Sequence, residues 1–139
     1  MRTAIDSNIL SGLWSKEPLA GSIARRLGGA KEDGALLIAP VVYVELLAYP
    51  GATESFLKNF LADTGVTAEF DLQEAVWVEA GRRFARYAGR RRKSGHGNPK
   101  HLLADFLIGA HALVQADRLM TLDLTRYKQD FPELKLVTL

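Results

Sequence analysis

The sequence predicts an α/β fold. Short runs rich in apolar residues occur at 1–5, 35–39 and 118–122, and segments with apolar residues at helical spacing lie between them. The middle run contains no polar residue, which is typical of a strand covered on both faces. The first and last runs are followed by Asp6 and Asp123. Ligands of open α/β sheets bind at the carboxyl ends of strands, so the predicted fold places both acids where a site is expected.

Composition limits the class of protein. The chain of 139 residues is long enough for a sizeable core, and we expect residues 1–139 to form one domain. The absence of cysteine excludes thiolate metal sites, cysteine nucleophiles and disulfides, and the net charge is a mild +2. The chain start lacks the features of a signal peptide, and the strongest apolar stretch, 35–44, is too short to span a bilayer. We therefore expect a soluble cytoplasmic protein.

Local signals predict the elements in the first half of the chain. A short helix follows Asp6, and Pro18 opens a second helix that Gly28-Gly29 should end. The remaining predictions are a helix that starts at Pro40, a helix capped by Thr53 that ends near Gly65, and a short extended segment over 66–70.

The second half has a long helix on either side of a glycine-containing loop. Asp71 and Glu74 resemble a capping box for the first helix, and Asn98-Pro99 should start the second. In this second helix Gly109 would permit close backbone approach, and His111 is interpreted as a core or interface histidine. We also predict a strand that leads to Asp123, a helical turn over 124–127 and an edge strand over 134–139.

Four acids are hard to explain by solubility alone: Asp6, Glu45, Asp105 and Asp123. Asp105 is the only acid of an almost wholly apolar helix, and Glu45 has apolar neighbours one helical turn away on both sides. A buried carboxylate must be paired, bind a metal or be protonated. We therefore predict that the four form one divalent-metal site, with Thr121 on the same side of its strand as Asp123. Asp6 could instead be only a helix N-cap, and Glu45 a helix-edge residue that reaches water.

A basic ridge precedes Asp105. No acid occurs from residue 81 to 104, whereas eight lysines and arginines do, together with His96 and His101. Cations near a helix carboxyl end favour the macrodipole, and charge runs are often solvated faces. The length of this run favours contact with a phosphate backbone. We name as candidates for this contact, and call the basic ridge, Arg86, Arg90, Arg91, Arg92, Lys93 and Lys100. His101, one turn before Asp105, could face the acids, although a supporting or structural role is favoured.

The motifs resemble those of PIN domains, and most of all the VapC-type toxin ribonucleases of prokaryotic toxin–antitoxin pairs. The resemblance spans essentially the whole chain, and the matching segments are 6–8, Glu45, 104–112 and 121–123. It implies a three-layer sandwich with a central, mostly parallel sheet flanked by helices. It also implies homodimers and an antitoxin whose tail reaches the active site. The family's acidic residues match Asp6, Glu45, Asp105 and Asp123, and its supporting polar residues match Ser7, Asn8 and Thr121.

Oxygen ligands without cysteine select Mg²⁺ or Mn²⁺. We therefore expect a metal-dependent endoribonuclease in which Asp6, Asp105 and Asp123 bind the metal and Glu45 is a further ligand or the base that orients water. Thr121 and Asn8 would position these carboxylates. Two alternatives belong to other classes of protein. One is a catalytically silent PIN-like module that binds RNA or protein. The other is a phosphatase-type enzyme for small molecules, which is disfavoured because no closely spaced acid pair resembles an aspartyl-phosphate nucleophile motif.

Overall fold

The computed structural model describes residues 1–15, 18–95 and 103–139, and five parallel strands form its centre. The strands are β1 (Thr3–Ile5), β2 (Leu36–Ile38), β3 (Val66–Ala68), β4 (Arg118–Met120) and β5 (Leu136–Val137). The described helices are α1 (Ser7–Trp14), α2 (Ala20–Asp33), α3 (Pro40–Leu47), α4 (Glu54–Thr64), α5 (Glu74–Lys93), α6 (Leu103–Gln115) and α7 (Leu124–Lys128).

Strand order determines where a ligand can bind. The order is β3-β2-β1-β4-β5, and every neighbouring pair is parallel. The chain builds outward from β1 to β3 and then returns to place β4 on the other side of β1. The carboxyl ends of β1 and β4 therefore flank the point where strand order reverses, which is the usual ligand crevice of such sheets.

The sheet is covered by helices on both faces. All three residues of β1 and of β2 are buried, and side chains alternate between faces along a strand, so both faces must be packed. The predicted α/β sandwich is thereby confirmed. Helices α5 and α6 pack against each other, with Phe84 and Phe106 in edge-to-face contact at a centroid distance of 5.1 Å. No described helix is long and apolar enough to cross a membrane.

Several predicted element boundaries are confirmed. Pro40 is the first residue of α3, and Thr53 caps α4 by accepting a hydrogen bond from the Phe56 N–H at 3.0 Å. Gly65 ends α4 in the left-handed conformation, with φ of 74°. These signals are local, since each depends on the conformation of the residue itself or on a hydrogen bond within three residues.

Predicted boundaries are wrong at α2 and at α5, and tertiary contacts explain the end of α2 and the cap of α5. Helix α2 starts at Ala20 and runs through Gly28-Gly29 to Asp33, because burial of Ala30 extends its packed stripe and outweighs a glycine cost of about 1 kcal/mol per residue. Asp71 does not cap α5, whose N-cap is Gln73. The Gln73 N–H donates to Gln115 Oε1 on α6 at 2.8 Å, a contact that local sequence cannot reveal. The predicted helix start at Asn98-Pro99 lies outside the described residues.

Candidate functional site

Asp6 lies at the carboxyl end of β1 and is almost fully buried. Its Oδ1 accepts from the Ser7 N–H at 2.8 Å, which makes Asp6 the N-cap of α1. Its Oδ2 accepts from the hydroxyls of Thr121 at 2.8 Å and Tyr127 at 3.0 Å. The helix-cap interpretation of Asp6 is therefore confirmed, and the residue also presents a fixed carboxylate at the ligand edge of the sheet, where its role as a metal ligand stays a prediction.

The connection from β4 to α7 brings Asp123 to the same edge. Strand β4 ends at Met120, and Asp123 caps α7 by accepting from the Arg126 N–H at 3.3 Å. Thr121 Oγ1, which donates to Asp6, accepts from the Asp123 N–H at 3.0 Å. Asn8 Oδ1 accepts from the Leu122 N–H at 3.2 Å, so α1 also holds this connection. Thr121 and Asn8 therefore fix the backbone between the two strand-end acids.

Glu45 reaches the site from α3. Burial raises its pKa; a hydrogen bond from the Ser7 side chain opposes that shift, and the nearby charges of Asp6 and Asp105 add to it. Its Oε1 is buried and has no hydrogen-bond partner in the described part of the chain. This buried oxygen favours the metal-site interpretation of Glu45 over that of a helix-edge glutamate that reaches water.

Asp105 is buried on the first described turn of α6 and faces an arginine. Arg126 Nη1 lies 3.2 Å from Asp105 Oδ1, and its Nε lies 3.1 Å from Asp123 Oδ2. The guanidinium therefore joins two of the candidate acids, and the pKa of Arg126 is raised by Asp105 and Asp123 against the opposing effect of burial.

Arg126 and Tyr127 were not predicted as site residues. Arg126 follows Asp123 by three positions, a spacing at which side chains meet on a helix, so the predicted helical turn could have indicated the pair. Tyr127 is fully buried, and burial together with the Asp6 charge raises the pKa of its hydroxyl, which keeps it a hydrogen-bond donor. No sequence pattern distinguishes it from an ordinary core tyrosine.

The donor set fits a divalent cation, although the acids are not gathered tightly. Among residues 1–15, 18–95 and 103–139, no three histidines or acids lie close enough together to hold a metal ion. The acids nevertheless act on one another, since Asp6 and Asp105 both influence Glu45 and one guanidinium joins Asp105 to Asp123. Carboxylate oxygens with one unpartnered buried atom are suited to Mg²⁺ or Mn²⁺.

The basic ridge is partly committed to ion pairs. Arg90 pairs with Asp130, and the neighbouring Arg83, which is buried, pairs with Glu79 at 3.0 Å and Glu133 at 2.5 Å. Arg86, Arg92 and Lys93 are exposed. They make no hydrogen bond or ion pair within the ranges that the structure covers. Lys100, His96 and His101 lie outside the described residues.

Two predictions about α6 agree with the structure. His111 is fully buried, and its Nε2 lies 2.9 Å from Glu69 Oε1, so it is a core histidine. A Cβ placed on Gly109 would lie 2.4 Å from the Phe131 ring, so this glycine does permit close approach. Burial lowers the pKa of His111, against the effect of Glu69.

The chain belongs to the PIN domain family, whose model matches residues 3–131. Among solved structures it is similar to a chain of VapBC2 from Rickettsia felis bound to a promoter DNA fragment, with a TM-score of 0.70 and 19% identity over 99% of this chain and 98% of that one. It is also similar to a chain of VapBC-1 from nontypeable Haemophilus influenzae, with a TM-score of 0.68 and 20% identity over 99% and 98% of the two chains.

A third similar structure is a toxin–antitoxin complex from Klebsiella pneumoniae, with a TM-score of 0.62 and 18% identity over 98% of this chain and 96% of the other. No curated protein matches the chain. TM-scores of 0.62 to 0.70 establish a shared fold over nearly the full length.

Proposed function

We propose that this PIN domain is a metal-dependent endoribonuclease and the toxin of a type II toxin–antitoxin module. One observation carries the proposal. Asp6 and Asp105 both act on Glu45 near the crevice where the strand order reverses, Arg126 joins Asp105 to Asp123, and Glu45 has a buried oxygen without a partner in the described residues. Such a concentration of carboxylates needs a cation to offset its mutual repulsion.

The candidate ligands are Asp6, Asp105 and Asp123, and Glu45 is a further ligand or the base that orients the attacking water. A bound Mg²⁺ or Mn²⁺ supplies an activated water and neutralises charge that develops on the phosphodiester. The chain's own contribution is to fix the carboxylates. Ser7, Asn8 and Thr121, with Tyr127, hold Asp6 and the Asp123 backbone through the hydrogen bonds described above.

The RNA substrate would be guided by those cations of the basic ridge that make no ion pair within the described residues. Arg86, Arg92 and Lys93 are available for phosphate contacts, and Arg90 also stabilises the fold through Asp130. Binding of this kind depends on charge and carries little sequence information.

Assembly with an antitoxin and as a homodimer is also proposed. The similar structures named above include toxin–antitoxin complexes. The chain exposes large apolar side chains that a partner could cover, among them Phe70 at 61% and Trp77 at 56% exposure. Both line a cavity of about 290 Å³ together with Pro40 and Leu107, and Phe70 also contacts Tyr43 at an adjoining apolar groove.

Cleavage of a labelled structured RNA tests the proposed activity. Purified protein is assayed with Mg²⁺, with Mn²⁺ and with EDTA, beside Glu45→Gln and Asp6→Asn. We expect metal-dependent cleavage that either substitution lowers by at least about 10²-fold, because each removes a carboxylate charge from the metal site. Glu45→Gln is the cleaner variant, since Glu45 caps no helix whereas Asp6 also holds α1.

The matched control is Glu32→Gln, which removes one negative charge from an exposed position of α2 and should leave cleavage unchanged. Cleavage that persists in EDTA, or that Glu45→Gln leaves intact, contradicts the proposal. Binding of RNA without cleavage under any metal condition would favour the silent binding module. A panel of tRNA and rRNA fragments then separates that module from an enzyme with a narrow substrate range.

A further inference from the structure

We infer that Arg126 is an exchangeable counter-cation that occupies the acidic site in the metal-free protein and that a divalent metal must displace. The inference rests on the proposed function, because it concerns the same carboxylates. It assigns to this chain a residue that opposes metal binding from within the site itself.

The contacts of Arg126 support this role. Its guanidinium joins Asp105 on α6 to Asp123 at the start of α7, with nitrogen–oxygen distances of 3.2 and 3.1 Å. Within the described part of the chain, its side chain makes hydrogen bonds or ion pairs only with these two acids. The side chain is 39% exposed, so it can leave the site without crossing the core.

The size of a guanidinium explains why the acids stand apart. Ligand oxygens lie about 2.1 Å from Mg²⁺, so two oxygens on one ion are at most about 4.2 Å apart. Arg126 instead contacts each carboxylate through a different nitrogen, at 3.2 and 3.1 Å, so the spacing of the two groups is set by the guanidinium and not by one ion. This separation agrees with the finding that no three acids or histidines are gathered for an ion among residues 1–15, 18–95 and 103–139.

Within the described residues, Arg126 makes no hydrogen bond or ion pair with Glu45. Glu45 Oε1 is buried without a partner in the described residues, and Arg126 is the smallest of the influences on the Glu45 pKa. The arginine therefore neutralises part of the acid cluster and leaves a residual negative charge. That charge favours exchange of the monovalent guanidinium for a divalent cation that can contact all the acids.

Metal affinity provides the first test. Binding of Mn²⁺ is measured by calorimetry for the wild type, Arg126→Gln and Lys128→Gln. Lys128 is exposed on the same short helix and makes no ion pair within the described ranges, so its substitution matches the charge change without opening the site. We expect Arg126→Gln to bind Mn²⁺ at least about fivefold more tightly, and Lys128→Gln to differ from the wild type by less than about twofold.

Direct observation of the guanidinium provides the second test. The Arg126 Nε–H resonance of ¹⁵N-labelled wild-type protein, assigned by its loss in Arg126→Lys, is followed during titration with diamagnetic Mg²⁺. We expect it to shift or broaden as metal binds, whereas the Nε–H of Arg83, held in its buried pair with Glu79, stays constant. This measurement needs only the wild type and a charge-conserving variant, so it remains decisive if Arg126→Gln fails to fold.

The outcomes separate this inference from the proposed function. The inference is overturned if Arg126→Gln binds Mn²⁺ as tightly as the wild type or more weakly. It is also overturned if the wild type binds Mg²⁺ and its Arg126 resonance does not change. Either result leaves the proposed metal site intact. Tighter binding by both Arg126→Gln and Lys128→Gln overturns it as well, because general charge would then be the cause. Absence of metal binding in every protein overturns both the inference and the proposed metal site.

Discussion

Asp6 has both oxygens held in place before any ligand binds. Oδ1 accepts from one backbone N–H and Oδ2 from two hydroxyls, and the residue is 2% exposed. Each carboxylate oxygen has two lone pairs, so Oδ1 keeps one free for a further partner. The donors also come from separate parts of the chain, since Ser7 belongs to α1, Thr121 follows β4 and Tyr127 belongs to α7. The site is therefore built into the fold at this residue.

Tyr127→Phe tests the contribution of one donor. The substitution removes the hydroxyl that donates to Asp6 Oδ2 and keeps the buried ring, so we expect a loss of about 1.5–3 kcal/mol in the free energy of unfolding, as for hydrogen bonds to charged groups. Cleavage should fall but persist, because Thr121 and Ser7 still hold Asp6. Urea denaturation measures the first effect and the RNA assay the second.

Tyr43→Phe is the control for hydroxyl removal, since its ring packs on Phe70 away from Asp6. Equal stability of Tyr127→Phe and the wild type would mean that the hydroxyl contributes nothing net to holding Asp6.

At this scale the sequence predicts the acids better than their partners. Asp6, Glu45, Asp105 and Asp123 are recognisable because each interrupts an apolar pattern, at a strand end or on a packed helix. Arg126 and Tyr127 interrupt no apolar pattern, since an arginine and an aromatic residue are ordinary in the sequence of a short helix. Their role arises from the way β4 and α7 place them against β1, which is tertiary information.

At the scale of elements, the contact of α6 with the C-terminal segment depends on one glycine. Gly109 lies under the ring of Phe131, and Phe131 is itself buried against Phe106 and Tyr127. The same helix carries Asp105 one turn earlier, so this close packing also determines how deep that acid lies in the site.

Gly109→Ala should destabilise the protein although alanine favours helices. The new Cβ would lie 2.4 Å from the Phe131 ring, and overpacking of this kind costs about 1–3 kcal/mol. Gly81→Ala on α5 is the matched control, because its Cβ meets no atom within 4 Å and should stabilise by about 0.5–1 kcal/mol. Opposite signs in urea denaturation are expected. Stabilisation by both substitutions would show that Phe131 moves aside freely.

Element boundaries were predicted correctly where a local conformation or hydrogen bond determines them. They were predicted wrongly where packing against other elements determines them. Pro40, Thr53 and Gly65 act through their own conformation or a hydrogen bond within three residues. Gly28-Gly29 failed as a helix end because buried Ala30 lies beyond the pair, and Asp71 failed as a cap because Gln115 fixes the preceding segment from another helix. Both failures depend on packing against another element, which the local sequence does not show.

At the scale of the whole molecule, only part of the positive charge of the basic ridge is available to bind phosphate groups. Arg90 is neutralised by Asp130, and Arg83 beside the ridge is neutralised by Glu79 and Glu133. The Arg83 guanidinium lowers the pKa of Glu133 to about 2, so Glu133 carries its negative charge beside the arginine at neutral pH. The count of arginines in the sequence therefore overstates the charge offered to RNA, because these acids neutralise part of it. Two of them, Glu133 and Asp130, lie 50 and 40 positions from their arginines.

Salt dependence of RNA binding measures how much charge remains available. Arg86 and Arg92 are exposed and unpaired within the described ranges, so replacing both by glutamine should remove two phosphate contacts. The slope of log binding constant against log salt should become shallower by about 1.4 for single-stranded RNA. Arg25→Gln with Arg26→Gln on α2 changes the net charge equally outside the ridge and should leave the slope unchanged.

Binding is measured in EDTA so that cleavage does not interfere. An identical slope for the ridge variant and the wild type would contradict a phosphate-binding role for Arg86 and Arg92, and an equal loss in the α2 variant would assign the effect to net charge alone.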